Sequence, residues 1–554
     1  ETVDTQHSEQ LNSLALTHEL IYVPCHRSHI DYLLLSYVVH FEGLAIPYIA
    51  AGKNLNMPII GPVLRKGGAF FIRRSFKGNA LYSTVMFEYL ASQIASGMPI
   101  EYFIEGGRSR TGRLLQPKPG MLAMTVRSYL KYQKRPIAFI PVNIGYEKMI
   151  EGKAYLAELA GDDKKSETLF SSIKSIMAIR GFYGRVTTSF GEAILLDDIL
   201  AQHNPNWQQE TFYDNRRPRW LKQVVHAVSQ SIMRRINECC AVNPVNLIAT
   251  VLLASPNQTM DETELIQTLD LYRGLIKNLN YSDRITVTER SASAQIQHLE
   301  KLGLVNRRVH EMGDFIYLER NQAVRLTYYR NNILHLIVPA SLIACCFNNA
   351  DALDRARIIR YIKITYPFLK KEFFLPWSDD ELTDMIDSTI DQLCEVGLLS
   401  ETKLEQTYEK PAISTDQFAQ LTTLAQVISP LLELYYMIFA QLGEHDEGDL
   451  TRERLEQLCH LMAQRLSLMY EINAPDLFDK KLIANFIDSL IAQCYVEIDD
   501  EKHLVISEPA LKEGRHARRL LKRDIQYNIL QMLRSSKPPA DNTLAEQGKG
   551  SKNG

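Results

Sequence analysis

Four short apolar runs in the first 150 residues are each followed at once by polar, glycine or charged residues. They are Ile21–Pro24, Ala69–Ile72, Tyr102–Ile104 and Ala138–Ile140. Runs of this length, rich in aromatic and β-branched residues and separated by helix-length segments, predict buried parallel strands. Parallel strands of an α/β sheet place the loops that follow them along one edge, so the four polar clusters are predicted to form one composite site.

The length of 554 residues predicts more than one domain. Over residues 1–255 the strand-like runs alternate with helical segments, which predicts an α/β domain. Beyond Ser255 the pattern is mainly helical, and we predict a helical domain over residues 256–534. A tail rich in proline, glycine, lysine and asparagine over residues 535–554 is predicted to be disordered. Helices of the α/β domain are expected after His29 and at Asn79–Ser96, Gly120–Tyr132 and Trp220–Cys239.

A weak internal theme in the helical half resembles the end of a winged-helix unit, where a helix leads into a small β-hairpin. It occurs at Ala294–Leu302, Asp387–Val396 and Asn485–Gln493. Many winged helices bind DNA, but these helices carry acidic residues such as Asp391 and Asp488 and little positive charge, which opposes contact with phosphates. A packing or docking role is therefore favoured, and no nucleic-acid partner is predicted.

Charge and cysteine content exclude some classes of function. The net charge of -3 and charged fraction of 23% are ordinary for a folded protein, so any attraction for anions must come from local clusters. The eight cysteines contain no C-x-x-C motif, which argues against a zinc site or a disulfide scaffold and favours a reducing compartment.

The longest apolar segment, Ile333–Phe347, is shorter than the roughly 20 residues that span a bilayer, so we predict no transmembrane helix. A buried helix is the favoured interpretation. The alternative is a shallow membrane-inserted element flanked by Tyr328, Tyr329 and Arg330. Because the chain begins with Glu1 rather than Met, it is expected to be part of a longer protein.

His26 and Asp31 are the candidate catalytic pair. A histidine is the side chain best suited to take a proton from an alcohol near neutral pH, and a nearby carboxylate can hold its imidazole in one tautomer. An alternative is that Asp31 only completes a helix capping box with Ser28, in which Ser28 is the N-cap. The neighbouring His29 is expected to be structural.

Arginines gather in the loops after the second and third strands, and planar guanidinium groups bind phosphate through paired hydrogen bonds. The candidates are Arg73, Arg74, Arg108 and Arg110. The segment Glu105–Arg113 lacks the Lys-Ser/Thr of a nucleotide-binding P-loop and the spacing of a nucleophile elbow. It predicts a loop that brings backbone amides close to an anion.

Together these blocks resemble the glycerophospholipid acyltransferase family. Its H-x-x-x-x-D motif falls on His26 and Asp31, and its second motif on Gly68–Arg74. The third motif falls on Phe103–Ser109 and the fourth on Ile140–Val142. The first and third blocks resemble the branch that acts on glycerol 3-phosphate and dihydroxyacetone phosphate. In the helical half the resemblance extends to Thr327–Asn332 and Ile472–Pro475, whereas the usual long segment before the first motif is absent here.

The resemblance implies an acyltransferase-type mixed sheet flanked by helices, and an enzyme of phospholipid synthesis. His26, oriented by Asp31, would take the proton from the 1-hydroxyl of glycerol 3-phosphate as it attacks an acyl thioester, carried by acyl carrier protein or coenzyme A. The implied substrate-binding residues are Arg73, Arg74, Glu105, Gly106, Gly107, Arg108, Ser109, Arg110 and Pro141. A thioester is already activated, so no metal and no cofactor is expected.

Alternatives remain open at the sequence level. The acceptor could be dihydroxyacetone phosphate or lysophosphatidate, or the histidine could serve a lipid ester hydrolase. The resemblance implies a peripheral or monotopic protein at the cytoplasmic face of a bacterial inner membrane. Basic residues such as Arg216, Arg217, Arg219 and Lys222 are candidate contacts with that membrane surface.

Overall fold

The structure is a computed structural model that describes residues 3–58, 60–73, 78–149, 182–210, 212, 218–279, 281–403, 406–445, 450–470 and 480–536. The chain forms two compact units. The first comprises Glu1–Pro339 and Phe373–Gln392, and the second comprises Ala340–Glu372 and Leu393–Gly554. The domain boundary predicted at residue 255 stays a prediction. Most of the predicted tail lies outside the described residues.

The first unit is built on an eight-stranded sheet. Its strands are β1 (Val3–Gln6), β2 (Glu19–Pro24), β3 (Tyr48–Gly52), β4 (Ala69–Ile72), β5 (Ile100–Glu101), β6 (Ile137–Tyr146), β7 (Val186–Phe190) and β8 (Ile194–Leu195). The order is β1-β7-β6-β2-β5-β3-β4, and β8 pairs with β6. β2 is parallel to both β6 and β5, whereas β6 is antiparallel to β7 and β8. The sheet is therefore mixed, and the predicted fold class is confirmed.

Complete burial explains why the central strands do not alternate between apolar and polar residues. Every residue of β2 and β6 is buried, as expected for strands covered on both faces. The third predicted strand is displaced, because β5 ends at Glu101 and the run Tyr102–Ile104 follows it. The amide of Tyr102 still donates to the carbonyl of Tyr22 at 3.2 Å, and the chain then turns where Gly106 N donates to Phe103 O at 3.1 Å.

Helices connect the strands of the first unit and make up most of the remaining described chain. They are α1 (Leu11–Thr17), α2 (Asp31–Phe41), α3 (Ile60–Lys66), α4 (Ala80–Ala95), α5 (Gly120–Tyr132), α6 (Leu196–His203), α7 (Leu221–Glu238), α8 (Pro244–Ala254), α9 (Glu262–Asn278), α10 (Ala292–Leu302), α11 (Arg320–Cys346), α12 (Arg355–Phe373), α13 (Glu381–Glu395), α14 (Asp416–Gln426), α15 (Ser429–Glu444), α16 (Arg452–Tyr470), α17 (Lys480–Ala492), α18 (Glu508–Ala517) and α19 (Arg523–Ser536). The predicted helices after His29 and near residues 79–96, 120–132 and 220–239 are confirmed as α2, α4, α5 and α7.

Local sequence signals fix several helix ends. The side chain of Asn79 accepts a hydrogen bond from Tyr82 N at 2.9 Å and caps α4. Asn243 and Asn246 form a reciprocal capping box at the start of α8, where Pro244 occupies the first turn and needs no hydrogen-bond partner for its nitrogen. The residues of each signal lie within a few positions of each other in the sequence.

The helical half repeats one order of elements, in which a helix and a short strand precede two helices and a β-hairpin. In the first copy, strands Thr259–Asp261 (β10), Asn306–Arg308 (β12) and Phe315–Tyr317 (β13) form a sheet in the order β10-β13-β12. The second copy has strands Ala352–Asp354 (β14), Ser400–Glu401 (β15) and Thr407–Glu409 (β16) in the equivalent order β14-β16-β15. This is the winged-helix arrangement.

A third, reduced copy follows in the second unit. Its hairpin is Val496–Ile498 (β17) with Leu504–Ile506 (β18), and Thr451 forms an isolated bridge with His503 beside it. Among the described residues, one further two-stranded sheet, Ala241–Val242 (β9) with Thr286–Val287 (β11), belongs to the first unit. The predicted helix and hairpin theme is thus present three times.

The long apolar segment forms part of α11. Among the described residues, the helix Arg320–Asn349 is long and apolar enough to cross a membrane, but 94% of its most apolar window is buried inside the protein. A core helix passes the same test of length and composition. Shallow membrane insertion would need exposed flanking residues, whereas Tyr328, Tyr329 and Arg330 are all buried. The prediction of a buried helix is therefore confirmed for this segment.

Candidate active site

The loop between β2 and α2 carries the candidate catalytic pair. His26 Nδ1 lies 3.0 Å from Asp31 Oδ2, and the carboxylate is fully buried while the imidazole is 16% exposed. Because Nδ1 faces the carboxylate, Nε2 is the ring nitrogen that can meet a substrate. The ring also stacks on Phe103, with centroids 3.9 Å apart and an interplanar angle of 23°. The imidazole is thus held in one orientation from two sides.

The carboxylate of Asp31 is fixed by further donors besides His26. The backbone amides of Arg27 and Ser28 donate to Oδ2 at 2.7 and 2.8 Å, and the hydroxyl of Tyr146 donates to Oδ1 at 2.6 Å. The helix begins at Asp31 itself, so the expectation that Ser28 is the N-cap is wrong. The amide of Ser28 does bond the carboxylate, as in a capping box, but the same oxygen also contacts the imidazole.

Glu105 joins the first loop to the third. Its two carboxylate oxygens accept from the backbone amides of His26 and Leu115, both at 2.8 Å, and its side chain is only 1% exposed. Burial raises the pKa of Glu105 to about 7, although both amides and the nearby Arg27 guanidinium oppose that shift. In addition, Ser109 N donates to the carbonyl of His26 at 2.8 Å. The two loops are therefore connected at several points.

Ser109 is committed to the internal bonding of its own loop. Its hydroxyl donates to the carbonyl of Arg113 and accepts from Gly112 N at 3.1 Å, and the residue is 2% exposed. Like Glu105, it has a role in holding the loop that the sequence did not reveal. Direct contact of Glu105 and Ser109 with a substrate stays a prediction.

Arg108 and Arg110 lie close enough to the first loop to act on His29 electrostatically. Burial lowers the pKa of His29 to about 3, and the positive charges of Arg108 and Arg110 lower it further. His29 is therefore neutral near pH 7, which suits the structural role expected for it. The loop residues Gly106 and Gly107 precede these arginines, and Gly106 adopts a left-handed φ of +62°.

Two further predicted substrate residues lie at other positions of the sheet. Arg73 is exposed at the carboxyl end of β4, where its guanidinium covers the ring of Tyr82 at 4.5 Å. Arg74 lies outside the described residues. Pro141 is buried within β6. It lies between the part of β6 that pairs with β8 and the part that pairs with β7, a position in the sheet where a residue without an N–H is tolerated. The substrate-binding roles of all three stay predictions.

Sequence reasoning missed the contribution of Tyr146. This residue ends β6 and reaches Asp31 across 115 positions of the chain. It falls just after the fourth motif, and no local pattern distinguishes it from any other strand tyrosine. Phe103, in contrast, belongs to the third motif, although the stacking on His26 was not predicted from it.

The fold places His26 and Asp31 at the carboxyl edge of a mixed sheet, the arrangement expected for the acyltransferase class that the sequence resembles. A family model for acyltransferases matches residues 3–145, and a model described as the glycerol-3-phosphate acyltransferase C-terminal region matches residues 155–499. The chain belongs to the glycerol-3-phosphate acyltransferase family. The family prediction is confirmed at this level.

Two curated relatives agree with this assignment. The glycerol-3-phosphate acyltransferase of Pseudomonas fluorescens strain Pf-5 is 42% identical over 546 residues, which cover 98% of this chain and 65% of that protein. That of Pseudomonas aeruginosa strain UCBPP-PA14 is 43% identical over 548 residues, with 99% and 65% covered. This chain thus spans about 65% of the length of these curated relatives. The crystal structure of a 1-acyl-sn-glycerophosphate acyltransferase from Thermotoga maritima matches 42% of this chain and 71% of its own, with 17% identity and a TM-score of 0.23.

Proposed function

We propose that this protein transfers a fatty acyl group from a thioester to the 1-hydroxyl of glycerol 3-phosphate. The observation that carries the proposal is the 3.0 Å contact between His26 Nδ1 and Asp31 Oδ2, which leaves Nε2 of a partly exposed imidazole as the basic nitrogen. The guanidinium groups of Arg108 and Arg110 act on the same loop. A base beside positive charge suits an acceptor that carries both a hydroxyl and a phosphate.

The proposed reaction proceeds in two steps without an acyl-enzyme. His26 Nε2 removes the hydroxyl proton while the alcohol oxygen bonds to the thioester carbonyl carbon, and the buried Asp31 carboxylate stabilises the imidazolium that forms. The tetrahedral intermediate then collapses with cleavage of the carbon–sulfur bond. The departing thiolate takes the proton from the imidazolium, so the products are an acyl ester and a free thiol.

The acceptor pocket is proposed to use Arg73, Arg74, Arg108 and Arg110 for the phosphate. Guanidinium groups pair with phosphate oxygens through two parallel hydrogen bonds, so several of them favour a phosphorylated alcohol over a neutral one. Backbone amides near Gly106 and Gly107 are proposed to bind the oxyanion of the intermediate. The acyl donor is proposed to be a thioester of acyl carrier protein or of coenzyme A.

An acceptor panel tests this proposal. Glycerol 3-phosphate, dihydroxyacetone phosphate, lysophosphatidate and glycerol are each incubated with one acyl thioester and the purified protein. We expect transfer to glycerol 3-phosphate to be fastest and glycerol to be a poor acceptor. Equal use of glycerol would contradict the phosphate pocket, and free fatty acid released without any acceptor would indicate a hydrolase instead.

The variant His26→Ala isolates the proposed base. Loss of a positioned general base costs about 10² to 10⁴-fold in rate, so transfer should nearly vanish while the unfolding midpoint is unchanged. His310→Ala is the matched control, because His310 is an exposed histidine in the β12–β13 turn. If the His26 variant retained most of the parent activity, the assignment of His26 would fail.

We also propose peripheral attachment to an anionic membrane surface. On α2 the side chains of Leu33, Tyr37 and Phe41 are all exposed and recur every fourth residue, which places them on one helix face. The segment that follows, residues 43–87, contains six basic residues and no acidic one. An exposed apolar helix face together with a basic segment that follows it in the sequence is typical of proteins that bind anionic lipid.

Flotation with vesicles tests the attachment. The protein should float with vesicles that contain phosphatidylglycerol and float less with vesicles of phosphatidylcholine alone. Replacing Leu33, Tyr37 and Phe41 together by Ser should reduce flotation. The control replaces Val309 and Met312 by Ser, because these apolar residues are even more exposed and lie in a distant segment of the chain. Equal loss in both variants would contradict the specific role of α2.

A further inference from the structure

A buried side-chain amide adds a further connection between the two loops of the candidate site. Arg27 follows His26 directly, and its side chain is buried, with only 3% of the residue exposed. Its Nη1 donates a hydrogen bond to Oδ1 of Asn332 on α11. On its other side, Nδ2 of Asn332 donates to the carbonyl of Gly112 at 3.0 Å and to that of Tyr328 at 2.8 Å. The first loop, the third loop and the helix thus meet at Asn332.

The third loop is held against α11 at a second point. Nδ2 of Asn331 donates to the carbonyl of Thr111 at 2.8 Å, so two consecutive carbonyls of the loop bond to two consecutive asparagines. The approach is close enough to require glycine at position 112, because a Cβ there would lie 2.0 Å from the carbonyl oxygen of Tyr328. The left-handed φ of +85° at Gly112 also favours glycine.

The chemistry of the amide explains why asparagine occupies this position. A buried guanidinium needs an acceptor, and the buried carbonyls of Gly112 and Tyr328 need donors. A primary amide supplies both from one short side chain. An aspartate could accept from Arg27 but could not donate to the carbonyls, and a leucine could do neither. Substitutions at this position therefore separate the two functions of the side chain.

We propose that Asn332 is a positioning residue, which, together with the direct bonds of Glu105 and Ser109 to His26, sets the distance between the His26 loop and the loop of Arg108 and Arg110. The inference rests on the proposed acyl transfer, in which one loop supplies the base and the other holds the phosphate of the acceptor. A displacement of about 1 Å between reacting groups can cost on the order of 10²-fold in rate. Release of this connection should therefore lower the rate of the chemical step.

Steady-state kinetics of Asn332→Leu and Asn332→Asp test the proposal. We expect Asn332→Leu to lower kcat by roughly 10² and to leave KM for the thioester nearly unchanged. Asn332→Asp retains the acceptor for Arg27 and should lose less. Because Arg27 and Asn332 are in contact, Arg27→Met combined with Asn332→Leu should lower kcat by less than the product of the two single effects.

Thr327→Val is the matched control on the same helix. Thr327 is buried and bonds only the carbonyl of Ala323 among the contacts described, so its replacement removes a polar group without touching either loop. Its kinetics should equal those of the parent. The kcat of Asn332→Leu is calculated per folded molecule. A value within about twofold of the parent would refute the positioning role.

Hydrogen exchange gives a readout that does not depend on activity. Peptides that cover Thr111 and Gly112 should exchange faster in Asn332→Leu than in Thr327→Val. Equal exchange in the two variants would show that Asn332 does not hold the loop. If Asn332→Leu exchanged faster than Thr327→Val but the parent protein transferred no acyl group, the proposed function would be overturned, and the positioning role with it. The connection between Asn332 and the loop would still stand.

Discussion

The substitution Asp31→Asn tests whether the carboxylate acts through its charge. Asparagine is nearly the same size and keeps one acceptor oxygen. This oxygen can still accept hydrogen bonds from the backbone amides of Arg27 and Ser28 and from Nδ1–H of His26. Its amino group would then face the hydroxyl of Tyr146, which can accept instead of donating. The local fold should therefore survive, and the negative charge is what the variant loses.

The size of the effect follows from the geometry of the pair. His26 becomes positively charged when it takes the hydroxyl proton, and its Nδ1 lies 3.0 Å from the carboxylate oxygen. Two unit charges about 4 Å apart attract each other by about 4 kcal/mol at an effective dielectric constant of 20. Loss of this attraction in the transition state corresponds to a decrease in kcat of roughly 10³-fold.

Initial rates with saturating thioester and glycerol 3-phosphate measure this decrease, together with the unfolding midpoint of each variant. Tyr146→Phe is the control, because it removes one neutral donor from Asp31 and keeps the charge. That change should cost about 1 kcal/mol, or at most about tenfold in kcat. A normal unfolding midpoint with kcat of Asp31→Asn within tenfold of the parent would refute the electrostatic role of the carboxylate.

Three further predictions concern stability. Gly112→Ala should destabilise the first unit by more than about 3 kcal/mol, because the added Cβ would clash with a backbone carbonyl. Thermal unfolding compares it with the control Gly274→Ala, in which the added Cβ meets no neighbour. Burial raises the pKa of Glu105 from 4.5 to about 7, so the parent should lose up to about 3 kcal/mol of unfolding free energy between pH 4.5 and 7. Urea unfolding of Glu105→Gln should lack this decline. In the second unit, Phe368→Ala should cost about 3–5 kcal/mol because its ring contacts four other aromatic rings, and an unchanged urea midpoint would contradict this.

The sequence predicted those parts of the fold and site that depend on residues close together in the chain. His26 and Asp31 are five positions apart in one loop, so the position of the loop after a strand was enough to propose their contact. The helix from Asn79 was predicted from equally local signals. The N-cap expected at Ser28 was wrong, because the helix begins at Asp31. The displaced third strand shows the limit of this reasoning, because an apolar run such as Tyr102–Ile104 is equally compatible with a strand and with the buried turn that follows one.

The contacts that complete the site depend on which donors and acceptors meet across long stretches of chain. Glu105 was predicted to meet a substrate, since a carboxylate after a strand has the right chemistry for hydroxyl groups. In the structure its two oxygens accept from backbone amides of His26 and Leu115, 79 and 10 positions away. The residue type shows that four lone pairs need donors, but only the packed chain shows that the protein itself supplies them. Substrate contact by Glu105 therefore stays a prediction, while its two bonds to backbone amides show that it also holds the loops together.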